Sequence, residues 1–201
     1  MKNLPLDPCP VNMSDEDILE AMKEIHGYLD ITPGDFKEIY GIAFRHAHQR
    51  LARTIRAEDI MTRKVITVER DTPLKDVAEI LSRHDISGVP VIDDVRRVAG
   101  IISENDFIFH MGNQETRSFM GIVAQCLQST GCIALTIRRQ TAQDIMTSPA
   151  VTVSEASPLS EIASLLSEKN IRRVPVVTSD GALKGIISRV DLIQSFCSIE
   201  P

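Results

Sequence analysis

This 201-residue chain contains one stretch twice, and that repetition limits its fold more than any other property. Asp59-Ile60-Met61-Thr62 recurs 85 residues later as Asp144-Ile145-Met146-Thr147. Thr67-Val68 returns as Thr152-Val153, Pro73-Leu74 as Pro158-Leu159, and Val89-Pro90-Val91 as Val174-Pro175-Val176. Gly100-Ile101-Ile102-Ser103 returns as Gly185-Ile186-Ile187-Ser188, and Asp106 as Asp191. Every pair keeps the same offset, so the two copies, 57–109 and 142–196, align without a gap. A fixed period of this kind marks one structural unit used twice. The chain then divides into an N-terminal helical segment (1–52), a first unit (53–109), a partly helical linker (110–141), a second unit (142–196) and a tail (197–201).

Each copy reads as β-α-β-β-α. A β-rich run, Val65–Val68 or Ala150–Val153, precedes a helix start where Thr72 or Ser157 is the expected cap and Pro73 or Pro158 the first helical residue. Leu74, Val77, Ala78 and Leu81 then recur at helical spacing, as do Leu159, Ile162, Ala163 and Leu166. Strands are expected at Val89–Ile92 and Val98–Ile102, and at Val174–Val177 and Leu183–Ile187. A second helix opens at Ser103 or Ser188. One copy alone is too small to cover both faces of its sheet, and two copies packed sheet to sheet solve that burial problem. The expected class is a mixed α/β (α+β) fold of two such units plus an N-terminal helical hairpin.

The D-I-M-T opening, the V-P-V strand and the G-I-I-S-x-x-D ending resemble the CBS domain, named after cystathionine β-synthase. Two in tandem resemble the CBS pair, in which the units pack about a pseudo-twofold axis and leave two clefts between them. The resemblance implies binding of an adenosine compound: AMP, ADP, ATP or S-adenosylmethionine. It implies that Asp106 and Asp191 bind ribose hydroxyls and that Ser103 and Ser188 bind ribose or phosphate. An ionised carboxylate accepts both vicinal hydroxyl protons, and a helix N-terminus offers N–H groups to phosphate. The same S-x-x-D pattern at a helix start is also a capping box, in which Ser bonds inward and Asp reaches back. By the same analogy the adenine lies against Ile66, Thr67, Val89 and Pro90, or Val151, Thr152, Val174 and Pro175; plain core packing is the other reading of each.

The copies differ in charge. Ile171-Arg172-Arg173-Val174-Pro175 in the second stands opposite Ile86-Ser87-Gly88-Val89-Pro90 in the first. The resemblance gives a phosphate-gripping role to a basic residue just before this strand, and Arg173 matches it, with Arg172 beside it. Arginine suits phosphate because its planar fork makes paired hydrogen bonds. Arg189 adds a cation at a helix start, where the macrodipole disfavours it and an anionic ligand would relieve it. Ser87, Gly88 and Asn105 in the first copy depart from this pattern, so one preferred cleft is expected, built around the second unit.

Other functions find little support. Aromatic residues make up 4% of the chain and Trp is absent, which disfavours a stacking platform for nucleic acid. The net charge of −6 disfavours counterion-driven nucleic-acid binding. No apolar run approaches bilayer-spanning length, and the start lacks a secretory h-region. Cytoplasmic localisation and reduced thiols are therefore expected for Cys9, Cys126, Cys132 and Cys197, which form no C-x-x-C. No metalloprotease helix, Walker loop or nucleophile elbow occurs, and His46 and His48 lie two apart on an expected helix, facing apart. No catalytic residues, obligatory cofactor or resident metal are expected.

Outside the repeat, residues 14–52 read as two amphipathic helices. Ser14 with Asp17 and Thr32 with Asp35 are capping boxes, the second with Pro33 at its first turn. One stripe is Ile18, Leu19, Met22, Ile25 and Leu29; the other is Phe36, Ile39, Tyr40, Ala43, Ala47 and Leu51. These stripes must pack on the repeat, a second chain or a partner. Segment 1–50 carries five basic against nine acidic residues, which argues against a DNA-reading helix pair. Ser118–Leu127 is a further expected helix. The leading expectation is a nucleotide-sensing regulatory module acting as a homodimer or on a protein partner. A structural or interaction module with vestigial clefts, and a thiol or metal sensor using Cys126 and Cys132, are the alternatives.

Overall fold

The computed structural model describes residues 13–27, 30–111, 119–128 and 137–197. The chain order is α1 (Asp15–Glu24), α2 (Pro33–Thr54), α3 (Ala57–Ile60), β1 (Val68–Glu69), α4 (Leu74–Arg83), β2 (Gly88–Ile92), β3 (Val98–Ser103), α5 (Glu104–Met111) and α6 (Phe119–Gln128). It continues with α7 (Ala142–Ile145), β4 (Val153–Ser154), α8 (Leu159–Glu168), β5 (Arg173–Val177), β6 (Leu183–Ser188) and α9 (Arg189–Cys197). Each copy forms a three-stranded sheet whose first strand is parallel to the second and whose third is antiparallel to it. The registers repeat at the sequence offset: Val68 faces Val91 as Val153 faces Val176, and Gly88 faces Ser103 as Arg173 faces Ser188.

Side chains alternate across a strand, so the valines of V-P-V share one face. Val89 and Val91 with Ile102, and Val174 and Val176 with Ile187, are fully buried in two aliphatic cores. Leu74 and Val77 of α4, and Leu159 and Ile162 of α8, close those cores from the helix side. Full burial of one such side chain contributes about 1.5–3 kcal/mol, which makes these the main source of stability in each copy.

The opening segment of each copy does not pack on its own sheet. Ala57 and Met61 belong to the core built around Leu159, Val174 and Ile187, while Ala142 and Ile145 belong to the core around Leu74, Val89 and Ile102. Backbone bonds make the same exchange. Thr62 and Ile186 bond each other both ways at 3.0 and 3.1 Å, and Thr147 and Ile101 do so at 2.9 and 3.1 Å. The hairpin tips also join across the axis, with Val98 N–H donating to Gly181 O at 3.1 Å and Leu183 N–H to Arg96 O at 3.2 Å.

The exchange explains two recurrent residues together. A Cβ built on Gly185 would lie 2.4 Å from Met61 Sδ and 2.9 Å from Met61 Cβ; one built on Gly100 would lie 2.6 Å from Met146 Sδ. The glycine of G-I-I-S is the hole, and the methionine of the other copy's D-I-M-T is the knob.

Three sequence expectations are corrected. The strands expected at Val65–Val68 and Ala150–Val153 shrink to the two-residue β1 and β4. Thr72 and Ser157 do not cap helices: their hydroxyls accept from the N–H of Glu69 and Ser154 at 3.0 and 3.3 Å. The helices begin after the prolines, at Leu74 and Leu159, whose N–H groups donate to Gln140 O and Ile55 O at 3.0 and 2.9 Å. Free donors at a helix start need partners, and here Ile55 at the start of the first unit and Gln140 at the end of the linker supply them.

The N-terminal helices form as expected. Both capping boxes are present: Asp17 N–H donates to Ser14 Oγ at 3.1 Å and Asp35 N–H to Thr32 Oγ1 at 3.2 Å. The helix α1 packs on α2, and α2 contacts α8. Ile18 and Ala52 are buried, but Leu19, Ile25, Ile39 and Tyr40 stay 43–58% exposed. The linker helix forms as α6, with Met120 and Leu127 exposed.

Gly185→Ala is expected to overpack the Met61 contact and lower stability by about 1–3 kcal/mol in urea unfolding. Adding Met61→Ala should then cost less than the sum of the two single changes, which is the coupling expected of residues in contact. A second expectation concerns acid. Hydrogen bonds hold five carboxyls below their ordinary value: Asp17 from the Ser14 hydroxyl, Asp35 from the Thr32 hydroxyl, Asp93 from the Arg97 backbone, Asp144 from the Thr141 backbone and Asp180 from the Thr178 hydroxyl. A depressed carboxyl stabilises the fold above its unfolded value and loses that contribution as pH falls through the folded one. The urea midpoint is therefore expected to fall as pH drops below 3.8, and Asp144→Asn should remove part of that fall.

Candidate functional site

Each G-I-I-S-x-x-D ending carries the chain from a strand edge directly into a helix. Asp106 Oδ2 accepts from the Ser103 N–H and hydroxyl, both at 2.7 Å. Asp191 Oδ2 accepts from the Ser188 N–H at 2.6 Å and its hydroxyl at 2.7 Å, and Asp191 N–H donates to Ser188 Oγ at 3.4 Å. The aspartate thus reaches back to the motif serine in both copies, and the serine bonds inward in the second. The copies differ at the second oxygen. Asp106 Oδ1 accepts from Thr147 Oγ1 at 3.1 Å, whereas Asp191 Oδ1 accepts no hydrogen bond among the described residues.

Two cavities flank the axis. The larger, about 450 Å³, sets Ser188, Arg189 and Asp191 of the second copy against Thr62, Lys64, Ile66 and Pro90 of the first. The smaller, about 260 Å³, sets Ser103, Glu104 and Asp106 of the first copy against Thr147, Val151 and Ile171 of the second. Each cleft therefore joins the closing motif of one copy to the opening segment and second-strand start of the other. This follows from the exchange: Thr62 is bonded to Ile186, which sits beside Ser188 on β6.

Among the sequence-derived candidates, Ile66, Pro90, Ser188, Arg189 and Asp191 meet in the larger cleft, and Val151, Ser103 and Asp106 in the smaller. Val89 and Val174 are fully buried in the cores, since they alternate with the prolines along their strands. Thr67, Thr152 and Pro175 line neither cavity. Pro90 lies beyond the end of the short β1, on the side of β2 that this leaves uncovered.

The arginines are placed differently from the sequence expectation. Arg172 and Arg173 line both clefts rather than one. Arg173 starts β5, but its guanidinium leaves its own copy: Nη1 donates to Gly88 O and Nη2 to Ser87 Oγ. Burial lowers the Arg173 pKa below the ordinary arginine value; Glu104 opposes that shift and Arg172 adds to it. Arg189 needs no ligand to relieve it. Its Nε donates to Ile171 O at 3.1 Å and its Nη2 to Leu166 O at 3.2 Å, so one carbonyl from the last turn of α8 and one just beyond that helix already solvate it.

Sequence reasoning missed Lys64, Thr62 and Thr147. The signal for Lys64 was present: its counterpart at the offset is Pro149, a difference between otherwise gapless copies. The two threonines belong to the recurring D-I-M-T, but only the exchange carries them to the opposite aspartate. Cys132 lies outside the described residues, as does the side chain of Cys126.

Known proteins share this arrangement. The CBS domain of a CBS domain containing membrane protein from Sphaerobacter thermophilus is 30% identical, covers 78% of this chain and 96% of its own, and superposes with a TM-score of 0.60. CBSX2, an Arabidopsis thaliana CBS-pair protein solved in complex with AMP, is 28% identical over 73% of this chain and 98% of its own, with a TM-score of 0.56. The CBS domain pair of protein MJ0100, solved with 5-methylthioadenosine and S-adenosyl-L-methionine, is 25% identical over 73% of this chain and 98% of its own, with a TM-score of 0.54. Curated relatives differ in how much of them is matched, from 89% of an uncharacterized Methanocaldococcus jannaschii protein through 64% of chloroplastic CBSX1 from Arabidopsis thaliana to 10% of an L-aspartate semialdehyde sulfurtransferase from Methanocaldococcus jannaschii. The CBS domain model matches residues 57–113 and 142–197, more than half of the chain, at the two copies that the repeat delimits. With a duplicated sheet, two clefts and a domain match on each copy, the chain belongs to the CBS-domain family as a tandem pair.

Proposed function

We propose that this chain is a regulatory module that binds a phosphate-bearing adenosine compound, with AMP as the simplest member, in the larger cleft. The observation that carries the reading is the unspent Asp191 oxygen in a cavity of about 450 Å³. That volume lies in the range of small-molecule sites, and the smaller cleft, at about 260 Å³, falls below it. Asp191 Oδ1 accepts the ribose hydroxyls, while Oδ2 stays fixed by Ser188. Ile66 and Pro90 give the base an apolar wall. Lys64, Arg172 and Arg173 receive the phosphate, a cation set that favours a nucleotide over the positively charged sulfonium of S-adenosylmethionine. The AMP complex of CBSX2 and the adenosine-type ligands of the MJ0100 pair support the ligand class.

A ligand held this way touches both copies at once, so its binding tightens their junction. That change reaches a second copy of the chain or a protein partner through surfaces such as α2, which rests on α8. The role is regulatory rather than catalytic and is consistent with a cytoplasmic protein.

Thermal unfolding with AMP, ADP, ATP and S-adenosylmethionine tests this. A ligand at a hundredfold over its Kd stabilises the native state by about 2.7 kcal/mol, which raises the midpoint by several degrees. A phosphorylated nucleotide is expected to give that shift. Asp191→Asn keeps an oxygen for the Ser188 N–H but loses the charge, and should weaken binding about tenfold or more. A panel with no shift, or an Asp191→Asn protein that binds as well as the native chain, would contradict the reading.

A further inference from the structure

The two clefts are related by the pseudo-twofold axis, but the residues next to that axis are not alike. Gly88 and Arg173 are mates at the offset, and both begin a strand opposite a serine, Ser103 or Ser188. A Cβ built on Gly88 would lie 3.2 Å from Arg173 Cζ and Nη1, and 2.7 Å from Ile102 O. A side chain there would meet the Ile102 carbonyl first, so the glycine lets β2 and β3 approach closely and leaves the Arg173 guanidinium beside it, bordering both clefts.

We infer that Arg173 couples the two clefts negatively, so that a phosphate gripped in one takes the free guanidinium donors that the other would use. This rests on the nucleotide reading above and adds a rule of occupancy to it. Two of the five donors of Arg173 are spent on Ser87 and Gly88, which anchors the fork between the cavities. The remaining donors form one planar set and pair with one phosphate at a time. Among the described residues Arg172 is the one other arginine bordering both cavities, and the smaller cleft also carries Glu104 and Asp106, which repel an anion once the free Arg173 donors are taken. Adenosine has no phosphate to compete for the guanidinium, so its two binding events are independent.

Titration calorimetry of the full chain with AMP and with adenosine tests the coupling without assuming equal clefts. In the native chain the second AMP step reports the smaller cleft while the larger is filled. In Asp191→Asn the larger cleft is weakened, and AMP meets the smaller cleft with Arg173 still available. The expected result is that the smaller cleft binds AMP about tenfold more tightly in Asp191→Asn than in the second native step, a coupling of ordinary allosteric size. Adenosine should show no such difference, and Arg173→Ala should abolish it for AMP. Equal affinities for AMP in those two settings, or no AMP step at the smaller cleft in either protein, would overturn the coupling and leave the nucleotide reading standing. No binding of AMP at any concentration would overturn both.

Discussion

Met61 fills the space above Gly185, and Met146 the space above Gly100. Those two contacts cross from one copy to the other, and the rest of the molecule is arranged around them. A side chain on either glycine would push the methionine off the sheet and with it the segment that carries Thr62 or Thr147. Those threonines extend the sheets by one bonded rung each, at Ile186 and Ile101. The same segments deliver Ile55 O and Gln140 O to the first turns of α8 and α4. Neither copy can therefore complete its core, its sheet edge or its helix start alone. This is a stronger reason for the duplication than the general need to cover a sheet.

The clefts are products of the same exchange. Because the opening segment of one copy lies beside the closing motif of the other, each cavity has one wall from each copy. The pseudo-symmetry is broken in charge rather than in backbone. Lys64 stands where the second copy has Pro149, Arg173 where the first has Gly88, and Glu104 where the second has Arg189. Of these, the Gly88 and Arg173 pair matters most, since the Arg173 guanidinium bonds Gly88 and Ser87 of the first copy. The spent Asp106 and the half-spent Asp191 are a further consequence, because Thr147 reaches its aspartate and Thr62 makes no such bond among the described residues.

Much of this was legible in the amino-acid order. The gapless offset defined the repeat, the spacing of Leu74, Val77 and Leu81 defined a helix, and the S-x-x-D pattern defined the geometry at both closing motifs. The parts that were not legible share one cause: they depend on contacts between copies. Thr72 and Ser157 have the right residue type for caps, yet the carbonyls of Gln140 and Ile55 take that place. Arg189 reads as an unrelieved cation until the carbonyl ends of α8 are brought beside it. Val89 and Pro90 are adjacent in a short apolar run, and only the strand pleat sends one to the core and the other to the cleft. The exposed Ile39 and Tyr40 on α2 follow helical periodicity without being buried among the described residues, so periodicity alone could not place them.

The exchange itself is open to a direct measurement. Methyl-labelled methionine in an otherwise deuterated chain, with protonated glycine, reports through-space contacts between individual methyl groups and glycine α-protons in solution. The interleaved arrangement predicts cross-peaks from Met61 to Gly185 and from Met146 to Gly100. Cross-peaks from Met61 to Gly100 and from Met146 to Gly185 would mean that each opening segment packs on its own copy, and would contradict it.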